Sequence, residues 1–283
     1  MCTALWQHPM HGPTKCGQCI ECRLAYSREW AVRITHEQMM HKESCMLNLT
    51  YDDVNLPNHG QLFKADLQRF FKRLRKNTGD FKYVASGEYG DIGRRPHFHI
   101  ALFGMDFLFD RIYMGKSKSG ERLYESPEVE RSWTFGNHRI GTLTFESAAY
   151  ISRYILKKIK GPGADPLPLA VDEDTGEMVF PNPEFMIMSK GIGKTWFLKY
   201  FMSDVYPTAS VITSQGSKAP VPRYYKSLLK ERGPDLAMRM SFIASARAEL
   251  DLERRAFEVT PNRKSARAGV SEARANLFKR DVK

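Results

Sequence analysis

The chain has 283 residues, 42% of them hydrophobic, enough to bury one good core with a smaller unit appended. A formal net charge of +11 favours nucleic acid or an anionic membrane surface as partner. No run of about eighteen apolar residues occurs, and the N-terminus lacks the charged, apolar, small-residue order of a secretory signal, so a cytosolic protein without membrane spans is expected.

Residues 1–21 are rich in Pro, Gly and His and read as irregular structure. They lead into Cys16, Cys19 and Cys22 at three-residue spacing. Five cysteines in a chain of this size argue against a disulfide framework. The spacing suits a structural zinc with its fourth ligand drawn from Cys2, Cys45, His8 or His11, and suits an iron–sulfur cluster less well. The alternative is a reduced, metal-free turn. From Cys22 to about His41 the pattern is helical, with Leu24, Trp30, Val32 and Ile34 as apolar contacts. Cys45–Thr50 reads as a strand that runs into an acidic turn at Asp52 and Asp53. Ala65–Lys76 places Leu67, Phe70, Phe71 and Leu74 at three- and four-residue steps, an amphipathic helix with a basic outer face that includes Arg73.

Lys82–Glu88 is the next strand, with Val84, Ser86 and Glu88 on one face. A turn with Gly90 and Gly93 returns the chain antiparallel through Arg94 and Arg95 into Pro96–Phe103. In that strand His97 and His99 share a face, roughly 7 Å apart, while Phe98, Ile100 and Leu102 face a core. Neutral imidazole is a metal ligand at physiological pH. With Glu88 alongside, the set offers two nitrogens and one carboxylate and leaves positions open, which suits Mg²⁺ or Mn²⁺ as well as zinc. Singly, these residues have ordinary readings: hydrogen-bonded histidines, or a glutamate paired with Arg94.

Residues 104–137 are poorly patterned, with a flexible basic tip at Lys116–Gly120. His138–Thr144 is a short strand. Thr144 is a fit N-cap, and Ala148–Lys160 has helix-forming composition, which sets Tyr150 and Tyr154 one turn apart on one face with Arg153, Lys157 and Lys158 close by. Tyrosine pairs at this spacing also pack on sheets with their hydroxyls at the rim. This order of strands and helices predicts an α+β fold built on an antiparallel sheet. Gly161–Asn182 reads as a long loop. Ser189–Thr195 fails the P-loop pattern, because Met188 stands where the first glycine belongs. Arg223 and Tyr224 mix phosphate-binding and base-stacking types, as a single-strand contact or a packed loop would. Beyond Leu236 the chain reads as helical, and past Pro261 as a solvated basic tail.

A phenol with a pKa near 10 needs cationic or metal help to attack phosphorus at neutral pH. Together, His97-Phe98-His99, Tyr150 and Tyr154 resemble the HUH endonucleases of the two-tyrosine class, which initiate rolling-circle DNA replication. Within that superfamily the chain resembles the replication initiators of microviruses, the gokushovirus group above all. The narrower likeness rests on Cys16–Arg23 followed by Arg28-Glu29-Trp30, on Leu47–Asp53 and Ser86–Gly90, on Gly191-Ile192-Gly193 with Trp196-Phe197, and on Val221–Tyr225.

The resemblance implies an RRM-like palm with a central antiparallel sheet flanked by helices, and a helical C-terminal extension. The expected organisation is a Cys-rich segment at 1–21, an endonuclease domain at 22–235 with an inserted loop at 161–182, and a basic extension at 236–283. It also implies metal ligands Glu88, His97 and His99, catalytic Tyr150 and Tyr154 with Lys157 and Lys158, and DNA contacts from Arg73, Arg94, Arg95, Arg153, Arg223 and Tyr224. The expected partners are single-stranded DNA, the viral origin, and host helicase and polymerase, in the cytoplasm of a bacterial host. A plasmid relaxase, a single-strand transposase of the same group, and a non-catalytic zinc-stabilised nucleic-acid-binding protein remain the other readings.

Overall fold

The computed structural model describes residues 2, 5–10, 12–90, 93–117, 119–157, 170–172, 176–213, 216–254 and 256–277. In chain order, a hairpin of β1 (Trp6–His8) and β2 (Gly12–Thr14) precedes helix α1 (Ile20–Gln38). Strand β3 (Ser44–Tyr51), helix α2 (Lys64–Thr78), and strands β4 (Lys82–Tyr89) and β5 (Pro96–Phe103) follow. Next come β6 (Ile112–Lys116), β7 (Arg122–Glu125), the short α3 (Pro127–Ser132), β8 (Gly136–Gly141) and α4 (Phe145–Lys157). After the two-residue strands β9 (Ala170–Val171) and β10 (Met178–Val179) come β11 (Phe185–Met188), α5 (Lys194–Tyr200), β12 (Ser210–Ile212) and β13 (Lys218–Pro220). Helices α6 (Arg223–Arg232), α7 (Pro234–Arg254) and α8 (Pro261–Leu277) complete the described chain.

The chain divides into two compact units, His41–Lys190 and Met1–Met40 with Gly191–Lys279. The first is built on a seven-stranded sheet in the order β11-β4-β5-β3-β8-β7-β6, antiparallel throughout. Alternation along each strand gives the sheet two chemically different faces. One carries Leu47, Leu49, Phe98, Ile100 and Leu102, all fully buried with Leu67, Phe70 and Leu74 of α2 and with Trp133. The opposite face takes the polar residues in register: Asn48 lies across from His99, Ser86 across from His99, and Glu88 across from His97. The α+β expectation is met by this sheet flanked by helices and by the helical C-terminal part.

In the other unit, Tyr225 is fully buried and its ring stacks on Phe197, centroids 4.6 Å apart. His36 stacks on Trp196 at 3.4 Å and meets the Tyr225 hydroxyl at 3.0 Å. Gly193 lies at φ +78°, its N–H donates to Glu37, and a Cβ there would run into the Tyr225 hydroxyl. The Gly191–Gly193 motif is therefore a packing turn, in keeping with the failed P-loop pattern.

Three sequence expectations are corrected. Residues 1–21 are not wholly irregular: they hold the β1–β2 hairpin and the start of α1. The weakly patterned span 104–137 contains the β6–β7 hairpin and α3, which extend the sheet at its edge, and the Lys116–Gly120 tip is that hairpin's turn. Beyond Pro261 the chain forms α8 where a solvated tail was expected. Most of the expected loop at 161–182 lies outside the described residues. No helix among the described residues is long and apolar enough to cross a membrane.

Candidate metal and tyrosine centre

Strands β4 and β5 bring Glu88, His97 and His99 to the middle of the polar face. The Nε2 atoms of His97 and His99 lie 2.7 and 2.6 Å from the same oxygen, Oε1 of Glu88. The other ring nitrogens are held from behind. Nδ1 of His97 is 3.0 Å from the carbonyl oxygen of Arg95, and Nδ1 of His99 is 2.6 Å from Oδ1 of Asn48. Both partners are acceptors, so each Nδ1 carries the proton and donates it, which leaves each neutral ring with a lone pair at Nε2. Two such lone pairs then face a carboxylate oxygen. A proton on the rings or a cation among the ligand atoms resolves that repulsion, and metal-ligating histidines are characteristically oriented by an outer acceptor of this kind.

Burial sharpens the point. Glu88 is fully buried, and its second oxygen, Oε2, has no hydrogen-bond partner among the described residues. Burial pushes the Glu88 carboxyl up, but the hydrogen bonds and charges of His97 and His99 outweigh it and hold the carboxyl below its ordinary range. An uncompensated buried carboxylate costs several kcal/mol by rough estimate, so a cation at this point accounts for its retention. The ligand atoms of the three residues lie within 4.8 Å of one another, a spacing one divalent ion can bridge. The donor set fits such an ion.

Helix α4 adds the tyrosine. Thr144 and Ser147 cap its first turn reciprocally: the Ser147 N–H donates to Thr144 Oγ1 at 3.2 Å, and the Thr144 N–H donates to Ser147 Oγ at 2.8 Å. Ala148, Ile151 and Ser152 are buried, which fixes how the helix is turned, and the half-buried Tyr150 meets His99 edge to face with ring centroids 4.9 Å apart. Tyr154 follows one turn later on the α4 backbone. The side chains of Arg153, Tyr154 and Lys157, and all of Lys158, lie outside the described residues.

The remaining predicted residues are distributed more widely. Arg94 and Arg95 line a cleft of about 380 Å³ with Leu56, Gln61, Tyr89 and Pro181, next in sequence to the histidine strand. Arg95 also donates to the Tyr51 carbonyl at 2.8 Å and pairs with Asp53, while Asp52 accepts from Asn55 in the turn. Arg73 donates to Thr134 at 3.0 Å. Arg223 and Tyr224 belong to the other unit, where Arg223 pairs with Glu29 and the Tyr224 ring lies under the Arg33 guanidinium at 4.3 Å. Cys16, Cys19 and Cys22 gather with Cys2, whereas Cys45 is buried in β3 and His11 lies outside the described residues. Sequence reasoning missed Asn48. Its signal was weak, a polar residue between Leu47 and Leu49 that reads as an outward-facing strand position.

An antiparallel palm with paired histidines and a carboxylate on adjacent strands, and a tyrosine helix beside them, is the layout of an HUH-like fold. The family model for replication-associated protein ORF2 and its kin matches residues 44–159, which include β3, the histidine strand and α4. The chain is 33% identical over 232 residues to replication-associated protein VP4 of Bdellovibrio phage phiMH2K, covering 78% of this chain and 68% of that one. It is 35% identical over 238 residues to replication-associated protein ORF2 of Spiroplasma virus 4, with the same coverage. Against replication-associated protein ORF4 of Chlamydia phage 1, identity is 28% over 228 residues, covering 77% of this chain and 54% of that one. No solved structure matches. The chain belongs to this family of phage replication-associated proteins, the microvirus replication initiators.

Proposed function

We propose that this replication initiator opens its own origin by tyrosine transesterification at a single phosphodiester. The observation that carries the reading is the approach of Tyr150 to His99 within a buried His-His-Glu set. A Mg²⁺ or Mn²⁺ ion held by Glu88, His97 and His99 supplies Lewis-acid polarisation of the scissile phosphate. The phenolic oxygen of Tyr150 or Tyr154 attacks phosphorus, forms the new O–P bond and breaks the bond to the 3′ oxygen, which leaves as a 3′ hydroxyl on taking up a proton. The tyrosine keeps the 5′ phosphate. One phosphoester replaces another, so no ATP is consumed. Lys157 and Lys158 balance the charge that builds on the pentacoordinate phosphorus.

Two tyrosines one turn apart allow a second cut after one circuit of synthesis. The freed 3′ hydroxyl then attacks the first linkage and closes the circle. Arg94, Arg95, Arg73, Arg153, Arg223 and Tyr224 are the proposed contacts to single-stranded origin DNA, and host helicase and polymerase the proposed partners, in the host cytoplasm. Phosphate contacts of this kind add affinity and carry no sequence information.

The test is covalent capture. Labelled origin DNA forms a protein adduct stable on a denaturing gel, Tyr150→Phe with Tyr154→Phe removes it, and His97→Ala removes cleavage while leaving most of the DNA affinity. An adduct that survives the double substitution rules the mechanism out, and equal loss of cleavage and binding in His97→Ala assigns His97 a structural role.

A further inference from the structure

The N-terminal cysteines lie apart from the His-His-Glu set, and the proposed reaction makes no use of them. We infer that Cys2, Cys16, Cys19 and Cys22 hold one tetrahedral zinc ion that fastens the β1–β2 hairpin to the start of α1. The sulfur positions carry the inference. Sγ–Sγ separations are 3.5 Å for Cys2–Cys16, 3.8 Å for Cys2–Cys19 and 4.0 Å for Cys16–Cys22, and the four ligand atoms all lie within 4.8 Å of one another. A tetrahedron of sulfurs at a Zn–S distance of about 2.3 Å has edges of about 3.8 Å. The measured edges straddle that value.

The competing arrangements fit less well. All the cysteines are free, and the separations are far from the S–S bond length of about 2.05 Å. A multi-iron cluster spreads its cysteines around several metal atoms, wider than this set.

The surroundings are those of bound thiolates. The backbone N–H of Cys16 donates to the Cys2 sulfur at 3.4 Å and that of Cys19 to the Cys16 sulfur at 3.3 Å, an outer layer of donors that stabilises negative sulfur. Cys19 stands at the N-cap of α1, where Ser, Thr, Asp or Asn would ordinarily accept from the first turn, yet it makes no capping hydrogen bond. Its sulfur is turned to the cluster instead, and the positive end of α1 favours the net negative charge of a zinc with four thiolates.

The consequence is local order. Residues 2–22 contain two strands of three residues each and few buried side chains, too little apolar surface to hold the segment alone. An ion joining Cys2 to Cys16, Cys19 and Cys22 closes that segment into a loop and presents the half-exposed Trp6 on the hairpin.

The test reads metal, not activity, so it stands or falls separately from the nuclease reading. The full chain, purified under reducing conditions without added metal, is predicted to carry about one zinc per molecule by mass spectrometry of the metal content. Replacement by Co²⁺ is predicted to give the thiolate-to-cobalt charge-transfer band and tetrahedral d–d absorption. The Glu88–His97–His99 set has no sulfur and cannot produce that charge-transfer band. Cys2→Ser should weaken zinc retention at least about tenfold, while Cys45→Ser keeps it. Iron in place of zinc, a cobalt spectrum without sulfur character, or four thiols that titrate freely in the zinc-loaded chain would each overturn the inference. The cobalt measurement uses the natural chain and does not depend on either variant folding.

Discussion

Asn48 sets the direction in which His99 presents its lone pair. Its Oδ1 accepts from Nδ1 at 2.6 Å, and a ring that lost this acceptor would be free to turn or to exchange its proton between nitrogens. Outer partners of this type are worth about 10- to 100-fold in metal affinity. Asn48→Ala is therefore expected to weaken Mn²⁺ binding by that factor in titration calorimetry, with Asn48→Asp restoring part of it because a carboxylate oxygen accepts the same bond. Unchanged affinity in Asn48→Ala would remove the residue from the metal site. At a second residue the prediction is thermodynamic. Burial pushes His36 from 6.5 down to about 3, so the ring is neutral in the fold, held between Trp196 and the Tyr225 hydroxyl. On acidification the unfolded chain takes up this proton first. The contribution is complete above pH 6.5 and is lost progressively as pH falls towards 3, about 2 kcal/mol of it by pH 5. Urea unfolding at pH 7.5 and pH 5 should show that loss, and His36→Phe should flatten it; an equal slope in the variant would contradict the assignment.

At the scale of elements, the site depends on strand register. A one-residue slip of β5 would carry His97 and His99 to the apolar face and Phe98 to the polar one, and the buried Phe98, Ile100 and Leu102 prevent it. Gly136 guards the neighbouring pair. It opens β8 opposite Tyr51 at φ +149°, and a Cβ there would run into the backbone nitrogen of Asp52 and the carbonyl oxygen of Thr50. Gly136→Ala is predicted to cost more than about 2 kcal/mol in thermal unfolding, since neither obstruction can rotate away. A variant as stable as the natural chain would show that β8 tolerates the shift. The same register explains what was legible beforehand. Strict alternation through Pro96–Phe103 and Lys82–Glu88 announced both strands and the shared face of the histidines, and the three- and four-residue steps of Leu67 to Leu74 announced α2. The β6–β7 hairpin was illegible because Ile112, Tyr113 and Met114 are consecutive exposed apolar residues without alternation. Asn48 stayed hidden because its role depends on a cross-strand partner fifty-one positions away. Cys2 could not be chosen among several fourth ligands until the hairpin folded it back to Cys16.

For the molecule as a whole, a net charge of +11 and membership of the phage replication-associated proteins agree on DNA as the ligand. The central claim is narrower: a phenolic oxygen of α4 takes over a 5′ phosphate beside the His-His-Glu set. The most direct measurement is to incubate the natural chain with its circular single-stranded genome in Mg²⁺, Mn²⁺ or chelator, digest the DNA and protein, and identify the modified peptide by mass spectrometry. The account predicts a metal-dependent nucleotide remnant joined through its 5′ phosphate to Tyr150 or Tyr154, with an extendable 3′ hydroxyl on the cut strand. Cutting with no linked peptide, or a linkage on any other residue, would contradict it.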